Sequence, residues 1–260
     1  MQRLLPTLFC LSTLTACVVH VGNDAQAAEL TKEHQQLTLD AAGLTSLLAT
    51  TGAGDITIIG DANATKIVVD ADLYYENRSD LTFTLEHKGN EARLVAESNT
   101  SGVGVVWKSS PYIDLTVRMP AALALSLDDG SGDVSISGLA NKVRVEDGSG
   151  ELSIDGGSDV RVTDGSGDVA IQRLQGALSV DDGSGDLNIS DVKGSVEISD
   201  GSGDMQVSRV GAVKIDDGSG DISVTDADSL TVDESGSGEL SYANIRGRVQ
   251  TDEDEDQSRK

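Results

Sequence analysis

Asp129-Gly130-Ser131-Gly132-Asp133-Val134-Ser135-Ile136 carries the pattern from which the architecture of the chain follows. Its first five residues, or a close variant of them, begin again at Asp147, Asp164, Asp182, Asp200, Asp217 and Ser235, at intervals of 18, 17, 18, 18, 17 and 18 residues. So regular a period marks one supersecondary unit stacked on copies of itself. Between the corners apolar and polar residues alternate, as in Val134/Ile136 followed by Val143/Val145, or Leu187/Ile189 followed by Val196/Ile198. Each unit therefore holds two short strands, each with one apolar face. A flat antiparallel meander would leave one of those faces uncovered, and no amphipathic segment remains to cover it, whereas a coil closes the two faces over each other. The expectation is an all-β chain, a β-solenoid of about seven regular 17–18-residue coils over residues 121–250.

A longer-stranded, irregular β portion precedes the coils over residues 44–120, with its clearest strands at Ile56–Ile58, Lys66–Tyr75, Leu81–Glu86, Ala92–Ala96 and Ile113–Val117. Thr51-Gly52-Ala53-Gly54-Asp55 looks like a diverged copy of the later corner, although its distance from Asp129 breaks the period. This portion is placed to cap the array, since a terminal unit must hide an open apolar end. Residues 251–260, with five acids in a row from Asp252 to Asp256, read as a solvated tail because such a run repels itself.

The N-terminus is a targeting segment. Arg3 supplies the positive region, Leu4–Ala16 the apolar region, and Leu14-Thr15-Ala16-Cys17 matches the lipobox before a lipidated cysteine. Residues 1–16 are then a lipoprotein signal peptide, Cys17 is the acylated residue, and residues 17–43 form a tether. Loss of Cys10 with the signal leaves no second thiol, hence no disulfide. Val18 after the cysteine, rather than an Asp that would favour inner-membrane retention, points to the bacterial outer membrane by likeness to Gram-negative lipoproteins. The membrane is thus one partner, through a lipid anchor. A formal charge of −25 and a pI near 4.2 argue against nucleic acid, because a phosphate-binding surface needs Lys and Arg. With only seven aromatic residues, the core must be built from Val, Ile and Leu.

The corner motif has a geometric explanation: glycine permits tight corners, and Asp and Ser accept hydrogen bonds from turn amides. Stacking adds a second consequence. In register, Asp129, Asp147, Asp164, Asp182, Asp200 and Asp217 form one acidic column, and Asp133, Glu151, Asp168, Asp186, Asp204, Asp221 and Glu239 another. Like charges ~4.8 Å apart must splay, protonate or share a cation. Residues 128–250 hold 25 acidic and 9 basic residues, so the columns are not cancelled. Ca²⁺ is the hard cation suited to such oxygens, and the twelve acids from Asp129 to Asp221 are its candidate ligands. The match to a calcium β-roll is partial, since only one corner per coil carries the motif. No cofactor is otherwise implied. Catalysis has no support: His20, His34 and His87 lie outside the repeats, the corner serines have no activating partner, and Trp107 stands alone among glycines and valines.

The run Tyr112-Ile113-Asp114-Leu115-Thr116-Val117-Arg118-Met119-Pro120, followed by Leu125 to Ile136, resembles a bacterial β-strand-repeat family catalogued as putative adhesins. The likeness covers about residues 44–250 and is specific for fold. It implies an exported or membrane-attached solenoid with no transferable catalytic residue, adhesin-like and presenting its acidic, repetitive surface to a glycan or protein. A divalent-cation-binding envelope component or an envelope-stress accessory is the rival expectation. Ser135, Ser153, Asn188, Gln206, Ser223 and Ser241 form one outward polar row that could meet a partner.

Overall fold

The structure is a computed structural model that describes residues 30–98 and 110–252. Cys17, Trp107 and the tail beyond Asp252 lie outside the described residues. The irregular portion contributes β1 (Thr31–Asp40), β2 (Ser46–Ala53), β3 (Ile56–Asp61), β4 (Lys66–Tyr75), β5 (Leu81–Lys88), β6 (Glu91–Ser98) and β7 (Tyr112–Pro120). The repeats contribute β8 (Ala124–Ser131), β9 (Val134–Ser137), β10 (Val143–Asp147), β11 (Leu152–Asp155), β12 (Val160–Asp164), β13 (Val169–Leu174), β14 (Leu178–Asp182), β15 (Leu187–Val192) and β16 (Val196–Asp200). The last coils are β17 (Met205–Asp217), β18 (Ile222–Glu234), β19 (Leu240–Ala243) and β20 (Val249–Gln250).

Pairing among the repeats is parallel and in register, with one shift after Ile215, where Asp216 comes opposite Glu234. One row runs β8, β10, β12, β14, β16 and on into the second halves of β17 and β18, while the facing row runs β9, β11, β13, β15 and into their first halves. Two parallel rows closed over one core make a β-solenoid. Inward residues such as Leu152, Ile154, Ile171, Ile189 and Ile215 are fully buried, and the core is one continuous cluster from Leu44 to Val232. It consists almost wholly of branched aliphatic residues, the side chains that fill a thin pleated interior.

Thr51–Asp55 is a true corner of the array. β2 pairs in parallel with β8, which sets Thr51 beside Asp129, and β3 pairs in parallel with β9. The coil made by β2 and β3 is inserted between β8/β9 on one side and β6/β7 on the other, because β2 also pairs with β6 and β3 with β7. Beyond it the chain switches to antiparallel pairing, β5 on β6, β4 on β7 and β1 on β4, and these longer strands close that end of the stack.

Two boundaries differ from expectation. Thr31–Asp40, assigned to the tether, forms strand β1, because Leu37 and Leu39 alternate with polar residues and pack against the core from beside β4. At the other end β20 pairs with β18, Thr251 is buried, and Asp252 accepts hydrogen bonds from the Ser235 hydroxyl at 2.8 Å and its amide at 3.2 Å. The stack therefore reaches Asp252.

Candidate functional site

The Gly-Ser-Gly corner is fixed by steric contact between coils. Gly167 has φ +144°, and a Cβ there would stand 1.8 Å from the Gly150 carbonyl oxygen of the coil before. Gly165 is not left-handed, yet a Cβ on it would meet the Gly148 carbonyl oxygen at 2.5 Å. Both glycines are thus demanded by close approach of backbones, the second by backbone conformation as well. Ser166 between them is exposed.

The two acidic columns have different environments. In the outer one, each aspartate of the repeats accepts the backbone N–H of the acid one coil on: Glu151 donates to Asp133 at 3.0 Å, Asp186 to Asp168 at 3.1 Å, Asp204 to Asp186 at 3.0 Å, Asp221 to Asp204 at 3.0 Å and Glu239 to Asp221 at 2.8 Å. The ladder continues through the irregular portion, where Asp133 donates to Asp55 at 3.0 Å and Asp55 to Asp114 at 3.1 Å. These exposed acids thereby satisfy corner amides that have no strand partner. Asp55 and Asp114 were not included among the acids expected in this column.

The inner column is enclosed. Asp129, Asp147, Asp164, Asp182, Asp200 and Asp217 are 1–6% exposed and lie opposite one another in the parallel register. Thr51 donates its hydroxyl to Asp129 at one end. Burial, and then the neighbouring carboxylates, pushes Asp164, Asp182, Asp200 and Asp217 up to about 6. Asp129 rises to about 6 chiefly through burial, against the Thr51 bond, which lowers it. Asp147 is also raised by burial, while the amides of Ser149 and Gly148 draw it down. Both Asp147 oxygens are nonetheless without a hydrogen bond, and the Gly148 amide donates to the Asp129 carbonyl at 3.1 Å. Among the described residues, no three His, Cys, Asp or Glu side chains converge as a metal site.

The second corner carries a charge ladder that the corner motif did not announce. Arg173, Asp191, Arg209, Asp226 and Asn244 recur at the same step and all have φ between 54° and 59°. Arg209 grips Asp191 with Nε at 2.7 Å and Nη2 at 2.8 Å, Arg173 grips Asp155, and Asn244 donates to Asp226 at 3.0 Å. The alternation of charge at this spacing was present in the sequence.

The expected polar row exists and is longer. Thr116, Thr57, Ser135, Ser153, Ala170, Asn188, Gln206, Ser223 and Ser241 succeed one another across β7, β3 and the following coils without a charge. Ser137, Gln172, Ser190, Ser208, Thr225 and Ala243 share that face from Ser135 onward, where Asp155 is held by Arg173, whereas Thr116 and Thr57 at its start stand beside Asp55, Asp70, Asp72 and Asp114. The opposite sheet instead carries mixed charge, with Arg144, Arg161, Glu197 and Lys214 in one row. His34 sits on β1 against Asp72 at 2.9 Å, and His87 is exposed on β5, so neither meets a corner serine.

Stacked parallel coils turning on a glycine-acid corner define a β-solenoid repeat protein. Residues 109–255 match the family described as Toastrack DUF4097, and the chain belongs to that family, in agreement with the resemblance carried by Tyr112–Ile136. Two solved structures resemble it over 85% of its length. One is described as a putative lipid binding protein from Parabacteroides distasonis ATCC 8503, 17% identical, with 96% of that chain covered and a TM-score of 0.55. The other is described as a putative adhesin from Bacteroides fragilis NCTC 9343, 15% identical, with 96% covered and a TM-score of 0.51. At these identities the likeness is one of fold. No curated protein matches the chain.

Proposed function

We propose that this chain is a non-enzymatic, exported binding protein, adhesin-like, held at the outer membrane by lipid on Cys17, with the polar-row face of the solenoid as its binding surface. The observation that carries the reading is the asymmetry of the two sheets. On a molecule of charge −25, one flat face keeps hydroxyl, amide and small side chains in line from Ser135 to Ser241. Such a face offers hydrogen-bond donors and acceptors at ~4.8 Å steps, with Asp155 already paired to Arg173, and suits a neutral glycan polymer. The adhesin description of the Bacteroides fragilis structure agrees with this use of the fold, while fold alone does not assign it. Among the described residues, no helix is long and apolar enough to cross a membrane, so lipid on Cys17 would supply the anchor.

The test is binding of the full mature chain to an array of neutral and acidic glycans. Paired substitutions Asn188→Glu and Gln206→Glu should weaken binding about tenfold or more, equivalent to ~1.4 kcal/mol. The same change on the opposite sheet, Ser179→Glu, should leave it unaltered. Binding that survives the face substitutions and falls with Ser179→Glu would move the site to the charged sheet.

A further inference from the structure

Six carboxyl groups stand in one enclosed row, and the geometry of the corner accounts for their position but not for their charge. Both oxygens of Asp147, Asp164, Asp182, Asp200 and Asp217 are buried without a hydrogen bond from the protein, as is Oδ2 of Asp129. Among the described residues, the charged groups that act on the row are acids: its own members, Asp128 beside Asp129, and Asp133 of the outer column beside Asp147. Thr51 of β2 closes the upper end with a hydroxyl, and Ser235, one step below Asp217, replaces the acid at the lower end and turns its own hydroxyl to Asp252.

An enclosed line of six anions with no cation beside it among the described residues is untenable, since even one unpaired buried charge is costly. Ca²⁺ asks for six to eight oxygens, and among the described residues no three acidic side chains converge here. Adjacent members nonetheless lie opposite one another in the parallel register, ~4.8 Å apart along the stack, and two neighbouring carboxyl groups can hydrogen-bond only when one carries a proton. We infer that the inner column is a proton-binding site, in which a carboxylic O–H of one coil donates to the carboxylate of the next, so that mild acid tightens the stacking of coils.

An acid that binds protons more readily folded than unfolded adds stability as pH falls from above its folded pKa toward its unfolded one, and loses it as pH rises again. With folded values of about 6 for five members, the window runs from pH ~6.5 down to ~4.

The experiment is a carboxyl-carbon NMR titration of the full mature chain, with Asp164→Asn and Asp182→Asn for assignment, together with thermal melts from pH 8 to 5. The column should titrate around pH 6 rather than near 4, the native Tm should rise toward pH 5, and Asp182→Asn should raise the Tm at pH 8. The exposed control Asp186→Asn should leave the pH dependence of the Tm as it is. Column carbons titrating near pH 4 would overturn the inference. So would an Asp182→Asn variant that melts lower at pH 8 while Ca²⁺, against matched NaCl, raises the Tm of the native chain alone, for the column would then be a metal site. Should the Asn variants fail to fold, the titration midpoints of the native chain decide the question by themselves.

Discussion

At Gly167 the cost of any side chain is set by a backbone oxygen that cannot move without moving the coil before it. Gly167→Ala should destabilise the chain by about 3 kcal/mol or more, through both the clash and the left-handed φ, whereas Ser166→Ala should stay within ~0.5 kcal/mol, as checked by denaturant melts. The outer acids allow a finer comparison. Asp186 accepts the Asp204 amide, so Asp186→Ala should cost about 1 kcal/mol while Asp186→Asn, which keeps an acceptor and removes a charge, should cost nothing or stabilise slightly. The glycine period made the corner legible from the sequence alone. The difference between its two acids was legible too, by parity: Val143 and Val145 point inward, so Asp147 two residues on must do the same. An inward aspartate contradicts the usual rule for buried residues, which is why the two columns looked alike before their burial was known.

Among the elements, the inserted coil of β2 and β3 matters most, because it joins the irregular portion to the repeats on both rows. Ile58 is fully buried between strands β7 and β9. Ile58→Ala should cost about 2–5 kcal/mol. It should also lower amide-exchange protection in both neighbouring strands while sparing β15 and β16, since a stacked repeat feels chiefly its neighbours. Uniform loss of protection along the stack would show instead that the solenoid unfolds as one unit. The strands of this portion were visible from their alternation, but their stacking order was not. Local pattern records which face of a strand is apolar and leaves open which distant strand lies beside it. Strand β1 escaped notice for a related reason: its edge position leaves only Leu37 and Leu39 to show the alternation.

Across the repeats, charge is segregated: acids line one corner, opposite charges alternate along the other, and one sheet face carries Asp155 as its acid, paired to Arg173. The sequence showed the total charge and the outward polar row, while the pairing of Asp155 with Arg173 beside that row depended on knowing the register. Binding to an outside surface requires that this face stand outside the cell, which makes location the most direct test of the proposed role. The measurement is protease cleavage of an epitope inserted after Asp252, in intact cells and again after the outer membrane is permeabilised. Cleavage in intact cells is the predicted result, and protection until permeabilisation would contradict the adhesin-like reading by placing the solenoid in the periplasm.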